Sequence, residues 1–246
     1  MKILKNIFIL IWRVWFYFWV LFTIVPIAPI LIIVILKEKW YKAFFKIARL
    51  WANTILFVSG FRPVITSEEE IDTKKGYLFC PNHTSMIDIM LMLSITKNPF
   101  VFIGKAELAK IPLFGFFYKK TNILVDRTNQ KSRKEAFDEA NRRLKMGISV
   151  CIFPEGMVPE EDIVLAEFKS GAFRLGIEHK VPIVPITFFD CKKRFSYTFF
   201  SGSPGKLRVK IHRFILTDSL EVSDRKALRD QTYQVIYNSL INDKTN

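Results

Sequence analysis

The feature that most constrains the fold is a run of 23 consecutive uncharged residues, 14–36, most of which are apolar. About 18 such residues are enough for a helix to cross the hydrocarbon core of a bilayer. Trp15, Tyr17 and Trp19 are of the aromatic types that favour the membrane interface. No small-x-small cleavage pattern follows the run, which argues against a removable signal peptide. We therefore expect residues 4–36 to stay in the mature protein and to contact a membrane.

Two prolines, Pro26 and Pro29, lie in the middle of this run. Because each proline removes a backbone donor and resists helix continuation, we predict two helices, 4–25 and 30–58, that meet near residues 26–29. Two helices that dip into one leaflet make a monotopic anchor. We favour this arrangement over a single helix that spans the membrane.

Positive charge is concentrated beside the apolar run. The net charge is +14, and residues 1–66 carry nine basic residues but a single acid, Glu38. Basic residues adjacent to apolar surface favour an anionic membrane surface as partner over nucleic acid. On a helical wheel of residues 39–58, one side is basic and the opposite side is aromatic and aliphatic. This pattern fits an interfacial amphipathic helix, or a helix packed on its own domain with a solvated basic face.

The character of the chain changes after Gly60, so we predict an anchor over residues 1–60 and a catalytic domain over 61–246. Short apolar runs then alternate with helical patterns. The predicted strands are 76–80, 100–103, 123–125, 148–153 and 183–188, with a further strand, 207–214, antiparallel at an edge. The predicted helices are 86–96, 105–118, 131–146, 170–179 and 223–241. This order predicts an α/β fold, a mainly parallel sheet covered by helices, with the N-terminal two-helix membrane anchor attached.

Polar pairs follow three of the predicted strands directly: Asn82-His83, Asp126-Arg127 and Glu155-Gly156. Because ligands bind beyond the carboxyl ends of strands in open α/β sheets, we expect these residues to meet at one rim. The three cysteines are widely spaced and form no cluster with histidine, so we expect no metal site. The sequence contains no glycine-rich motif of the kinds that bind nucleotides, so a nucleotide cofactor has no support.

His83 and Asp88 form the strongest candidate for chemistry. Histidine is the usual general base near neutral pH, and a carboxylate partner fixes its tautomer and stabilises its charged form. The spacing of five works if His83 lies in a loop and Asp88 in the first turn of the next helix. Alternatively, Ser85-x-x-Asp88 is a variant capping box and His83 is an ordinary loop residue. The spacing alone favours the capping interpretation.

The residues around this pair carry a resemblance that reverses the preference. The pattern Asn82-His83-x-x-x-x-Asp88 resembles the signature of the glycerolipid acyltransferases, in particular the 1-acylglycerol-3-phosphate (lysophosphatidate) acyltransferases. Further blocks are similar in order over residues 76–190: Lys105-Ala-Glu-Leu with Pro112 and Gly115, Asp126-Arg127, Phe153-Pro-Glu-Gly156 with residues 168–172, and Val181-Pro-Ile-Val-Pro185. Two positions depart from the family. Thr121 stands where a glycine is usual, and Met157-Val-Pro replaces the usual Thr-Arg-Ser, which removes a basic contact near Glu155.

The resemblance implies a role for each site residue. His83 removes the proton from the acceptor hydroxyl and Asp88 orients His83. Arg127 binds the acceptor phosphate, since a guanidinium suits a phosphate bidentately. Its alternative role is a salt bridge with Asp126 or another acid. Further predicted substrate contacts are Lys105, whose alternative is a solvated lysine, and Glu155 with Gly156, whose alternative is a plain turn.

The implied reaction transfers a fatty acyl group to the sn-2 hydroxyl of 1-acylglycerol 3-phosphate and makes phosphatidate for phospholipid biosynthesis. The donor is acyl carrier protein or coenzyme A as a thioester, and no other cofactor is implied. Glycerol 3-phosphate or another lysophospholipid is an alternative acceptor. A non-enzymatic basic membrane-binding protein is the alternative from another class. The anchor implies the cytoplasmic side of the cell inner membrane or plasma membrane.

Overall fold

A computed structural model describes residues 2–111 and 114–243 of the chain. Pro112, which belongs to the family pattern, and part of the predicted helix 105–118 lie outside the described residues. The chain divides into two compact units. The first unit comprises the residues up to 66, 84–97 and 188–209, and the second comprises 67–83, 98–187 and 210 onwards.

The core of the fold is a seven-stranded sheet in the order β1-β7-β6-β2-β5-β3-β4. Its strands are β1 (Phe61–Ser67), β2 (Leu78–Pro81), β3 (Phe100–Lys105), β4 (Ile123–Val125), β5 (Ser149–Cys151), β6 (Ile183–Phe188) and β7 (Gly205–Ile211). The pairs β2/β5, β2/β6, β3/β5 and β3/β4 are parallel, which confirms the predicted mainly parallel sheet. The edge position predicted for the last strand is wrong, because β1 lies outside β7.

Helices connect these strands as an α/β sequence requires. They are α3 (Ile87–Ile95), α4 (Phe114–Thr121), α5 (Gln130–Lys145), α6 (Gly171–Glu178), the short α7 (Cys191–Arg194) and α8 (Arg225–Ile241). In the predicted helix 105–118, a 3-10 turn (Ala106–Lys110) comes before α4. α5 begins at a capped end, where the Asn129 side chain accepts from the N–H groups of Lys131 and Ser132.

The N-terminal helix α1 (Lys2–Ile35) runs continuously through Pro26 and Pro29, so the predicted break at 26–29 is wrong. The chain breaks instead at residues 36–40, before α2 (Tyr41–Val58). Each proline removes one helical hydrogen bond, but apolar surroundings offer the remaining backbone groups no partner outside the helix. α1 has 34 residues and is therefore about 50 Å long.

Most large apolar side chains of α1 are exposed. Its most apolar 18 residues have a mean hydropathy of 2.8, and by length and composition the helix could cross a membrane. Its N-terminal half is nevertheless attached to its own unit, because Trp12 and Trp15 donate to the carbonyls of Ser59 and Val58 at 3.0 and 2.8 Å. Exposed apolar side chains nevertheless occur along the whole helix, from Ile3 to Ile33.

α2 is a helix that packs on its own unit and is not a second membrane helix. It packs against α1 and α3, and it buries Tyr41, Phe45, Ala52, Ile55 and Leu56. The predicted two-helix anchor is therefore corrected: α1 is the one helix in the described ranges that is long and apolar enough to cross a membrane. The buried side of α2 does not coincide with the aromatic and aliphatic side of the helical wheel. Of the residues on that side of the wheel, Ile55 is the one that is fully buried.

Candidate active site

His83 follows β2, and Glu155 follows the neighbouring parallel strand β5. The Glu155 carboxylate is only 2% exposed. Its Oε1 accepts from the backbone N–H of His83 at 2.6 Å, and its Oε2 accepts from Ala166 N–H at 2.9 Å. The structure thus brings together two of the three predicted strand-end clusters. Glu155 fixes the backbone that carries the imidazole, a contact that the sequence did not predict.

Aromatic rings support the imidazole. The His83 ring stacks on Phe153, with centroids 4.1 Å apart, and Phe153 stacks in turn on Phe102 at 6.0 Å. His83 is half-buried, whereas its neighbours Asn82 and Thr84 are buried. One face of the ring is therefore covered while part of the side chain stays accessible, as a proton acceptor for an incoming ligand requires. Phe153 stands in the Phe-Pro-Glu-Gly block, and sequence reasoning missed its role.

Arg127 follows β4 and joins the same cluster. Its guanidinium donates to the carbonyl of Gly156. Gly156 has a φ of +83°, which favours glycine, and a Cβ built there would lie 2.6 Å from the guanidinium. The pair Asp126-Arg127 therefore meets the pair Glu155-Gly156, and the turn at Gly156 leaves room for the Arg127 guanidinium.

The electrostatics of Arg127 suit an anionic ligand. Burial lowers the pKa of its guanidinium, and Tyr118 and Glu107 partly oppose that effect. Among the described residues no carboxylate lies within ion-pair distance of it, and Asp126 accepts instead from the N–H and hydroxyl of Thr128 at 2.9 and 2.6 Å. The alternative role of Arg127, a salt bridge with Asp126, is therefore absent from the described part of the chain. An accessible guanidinium of this kind gains stability from a bound anion.

Asp88 lies in the first turn of α3 and is 0% exposed. Its Oδ2 accepts from the N–H groups of Thr84 and Ser85 at 2.6 and 2.8 Å. These are the two residues that follow His83, so the carboxylate holds the loop in which His83 lies. The Cys191 thiol lies near the same carboxylate; burial first, and then the negative charge of Asp88, raise the pKa of that thiol.

The capping interpretation is half right. Asp88 binds the Ser85 N–H, as the acidic member of a capping box does. The Ser85 hydroxyl accepts from the Ile87 N–H at 3.3 Å and donates to the carbonyl of Phe195 at 2.5 Å, while the Asp88 N–H donates to the Ser85 carbonyl instead of its hydroxyl. The predicted role of Asp88 as the partner of His83 stays a prediction.

Lys105 is the last residue of β3 and pairs in register with Val125 of β4. It therefore lies at the same carboxyl ends of the strands, with an exposed side chain. Its contribution to binding stays a prediction. In the described ranges no group of three or more His, Cys, Asp or Glu side chains is arranged to hold a metal ion.

Comparison with known proteins adds independent findings. A family model described as Acyltransferase matches residues 62–189. The probable 1-acyl-sn-glycerol-3-phosphate acyltransferase of Mycoplasma pneumoniae is 29% identical over 207 residues, which cover 81% of this chain and 68% of that protein. The 1-acyl-sn-glycerol-3-phosphate acyltransferase of Saccharomyces cerevisiae is 28% identical over 213 residues, with coverage of 80% and 69%.

A solved structure shares the fold. The 1-acyl-sn-glycerophosphate (LPA) acyltransferase PlsC from Thermotoga maritima matches with a TM-score of 0.82 at 23% identity, over 100% of this chain and 99% of that chain. The family model covers more than half of the sequence, from β1 to the end of β6. This protein therefore belongs to the acyltransferase family.

Proposed function

We propose that the protein transfers a fatty acyl group from an acyl thioester to the sn-2 hydroxyl of 1-acylglycerol 3-phosphate, and so forms phosphatidate for phospholipid biosynthesis. The donor is acyl carrier protein or coenzyme A in thioester linkage. The observation that carries the proposal is the cluster of His83, Glu155, Gly156 and Arg127 beyond the carboxyl ends of the parallel strands β2, β5 and β4. The names of the relatives from Mycoplasma pneumoniae and Saccharomyces cerevisiae support this acceptor.

The acceptor phosphate binds Arg127 in this proposal. The Arg127 side chain is exposed to solvent, and no carboxylate of the described residues lies within ion-pair distance of it, so its guanidinium is available to a phosphate. Lys105, exposed at the end of the adjacent strand, adds positive potential. Glu155 and Gly156 contribute to substrate binding because they position His83 and Arg127.

The reaction is a direct attack. The imidazole of His83 takes the proton of the acceptor hydroxyl while the oxygen adds to the thioester carbonyl carbon. Asp88 orients the ring and stabilises its charged form. A new C–O ester bond forms, the C–S bond breaks, and the proton passes to the departing thiolate. No cofactor other than the thioester substrate enters this scheme, and no acyl-enzyme forms.

A second acceptor is favoured by one specific observation. Met157 and its neighbours replace the Thr-Arg-Ser that is usual in the family, and the Met157 side chain is exposed. An acceptor with a different polar head, such as another lysophospholipid, or the smaller glycerol 3-phosphate, fits a site that lacks this arginine. The apolar surface of α1 favours a lipid acceptor over the soluble one.

Membrane contact follows from the exposed apolar part of α1 and from the basic residues beside it. We propose a monotopic protein on the cytoplasmic side of the cell inner membrane or plasma membrane. In this arrangement α1 stays attached to its own unit through Trp12 and Trp15, while its exposed apolar side chains enter one leaflet.

A matrix of donors and acceptors tests the proposal. Purified full-length protein in neutral detergent micelles is given palmitoyl thioesters of coenzyme A and of acyl carrier protein. Each donor is paired with lysophosphatidate, glycerol 3-phosphate and lysophosphatidylcholine. Mass spectrometry and sn-2-specific lipase digestion of the products should show phosphatidate acylated at sn-2. Acylation of glycerol 3-phosphate or lysophosphatidylcholine in preference to lysophosphatidate would overturn the assigned acceptor. No transfer to any acceptor would favour the non-enzymatic membrane-binding alternative.

A further inference from the structure

Arg13 is a charged residue buried within an apolar helix. Its side chain is 3% exposed although it lies in the first half of α1. Burial of a guanidinium is strongly unfavourable unless hydrogen bonds replace its water. Its neighbours in α1 are almost all apolar, so the charge must be compensated from elsewhere in the first unit.

The compensation comes from one loop, residues 195–201, which follows α7. The terminal nitrogen Nη2 of Arg13 lies within hydrogen-bond distance of the carbonyls of Ser196, Thr198 and Ser201, at 2.6, 3.1 and 2.9 Å. The guanidinium also lies over the Phe195 ring, 4.7 Å from its centroid. Backbone carbonyls of three residues thus point at a single cation, and the conformation of the 195–201 loop depends on that cation.

The same loop is bonded to the turn that holds Asp88. The carbonyl of Phe195 accepts from the hydroxyl of Ser85 at 2.5 Å, and Ser85 is fully buried. The N–H of Ser85 in turn donates to the Asp88 carboxylate at 2.8 Å. A continuous series of contacts therefore runs from α1 through the loop to Asp88, and every member lies in the first unit.

Two further contacts tie this region to Asp88. The N–H of Phe195 donates to the carbonyl of Cys191 at 2.8 Å, and the Cys191 thiol lies beside the carboxylate. Burial first, and then the negative charge of Asp88, raise the pKa of Tyr197 in the same loop. The loop therefore lies within electrostatic range of the carboxylate.

We propose that Arg13 is a positioning residue for the reaction: it fixes the 195–201 loop and, through Phe195 and Ser85, holds Asp88 in place. The inference rests on the proposed function, because it assumes that Asp88 acts in catalysis. It assigns a site role to a helix that otherwise serves the membrane. Arg13 itself touches no reacting group in this scheme.

Substitution of Arg13 with a KM-against-kcat comparison tests the proposal. We expect Arg13→Met to lower kcat about tenfold with KM for lysophosphatidate changed less than about twofold, an effect on the scale of one or two lost hydrogen bonds. Arg13→Lys should recover part of this loss, since an ammonium still donates to the nearest carbonyl. Arg49→Met is the matched control, because Arg49 of α2 likewise donates to a backbone carbonyl, that of Ser94 at 3.2 Å, which lies about 9 Å along α3 from Asp88.

Ser85→Ala is the second variant and decides the question if Arg13→Met fails to fold. It removes the bond between the loop and the Asp88 turn and leaves α1 intact. Ser85→Ala should lower kcat to a similar extent, and the double variant should lose little more than either single one. Hydrogen exchange of the full-length protein should speed up at the amides of residues 84–88 in both variants, but not in Arg49→Met.

Two results would overturn the inference. The first is wild-type kcat together with wild-type exchange at residues 84–88 in a folded Arg13→Met protein. The second, which applies when both variants fold, is a double variant whose losses multiply, since independent effects exclude a shared path. Failure of the proposed function is distinguishable, because His83→Ala and Asp88→Asn would then keep full activity whatever Arg13 does.

Discussion

Glu155 offers the sharpest perturbation of the site, because both oxygens of one buried carboxylate have identified tasks. Oε1 accepts from His83 N–H at 2.6 Å and Oε2 from Ala166 N–H at 2.9 Å. Glu155→Gln keeps the shape of the side chain but replaces one acceptor oxygen with an NH2 group. One of the two N–H donors then faces another donor and loses its partner.

The magnitude follows from these two bonds. A lost hydrogen bond to a charged acceptor costs about 1.5–3 kcal/mol, so we expect Glu155→Gln to lower the free energy of unfolding by about 2 kcal/mol. Glu155→Ala leaves two buried donors unpaired and should cost about 2–6 kcal/mol. If half or more of the Gln effect falls on the position of His83, kcat decreases by about 5- to 30-fold, since about 1.4 kcal/mol is a factor of ten. KM should change less, because the carboxylate binds protein backbone.

Urea unfolding in detergent micelles and acyl transfer to lysophosphatidate measure the two effects on the same preparation. Glu167→Gln is the matched control, because Glu167 is an exposed glutamate next to Ala166 in the same segment. It should leave both quantities unchanged. Wild-type stability and wild-type kcat in Glu155→Ala would refute the reasoning, since a buried acceptor of two bonds cannot be removed without effect.

Four further outcomes are expected from the same structure. Gly156→Ala forces a side chain into a backbone with φ +83° and against Arg127, so unfolding free energy should fall by at least about 1 kcal/mol and KM for lysophosphatidate should rise. Arg127→Lys should raise that KM about tenfold and leave thermal stability nearly unchanged, because a lysine loses bidentate phosphate geometry. Phe22→Glu places a charge among the exposed apolar side chains of α1 and should reduce retention on anionic vesicles. Lys2→Glu should reduce retention less, because Lys2 is exposed and already charged. His212 is buried beside Thr187, and burial lowers its pKa to about 4 from a usual 6.5. Because the unfolded chain binds this proton first, stability should fall by about 3 kcal/mol as pH falls from 6.5 to about 4. His212→Asn should flatten that dependence in urea unfolding.

The sequence predicted six of the seven strands, including the edge strand β4 at its observed bounds, 123–125. β2, β5 and β6 are buried at every position, so each reads as a continuous apolar run whose length alone indicates a strand. β1 was missed because it carries Arg62 and Pro63 and is exposed over most of its length. Its place in the sheet depends on pairing with β7, which is distant in sequence.

The helix break at Pro26 and Pro29 failed for a related reason. A proline rule estimates the local cost of a lost bond, but it does not include the length of apolar helix on either side. The real break lies where charged residues begin again, at residues 36–40. Surroundings, rather than the two prolines, decide where α1 ends.

At the site, the sequence predicted the meeting of strand ends because the carboxyl ends of parallel strands share one edge. It did not predict what each side chain does there. Glu155 binds the His83 backbone, and Phe153 stacks on the ring, because of distances that no spacing rule contains. The partner of Arg13 lies 183 residues away in the chain, so its contact with Ser196 was beyond any local pattern.

The central claim is that His83, assisted by Asp88, carries out acyl transfer to a lysophospholipid hydroxyl. The most direct measurement is single-turnover transfer from a palmitoyl thioester to lysophosphatidate, with purified wild type and His83→Ala at saturating substrate. His83→Ala should bind lysophosphatidate with unchanged affinity but transfer the acyl group at least about a hundredfold more slowly, the usual contribution of a positioned general base. Transfer at the wild-type rate by the folded His83→Ala protein would contradict it.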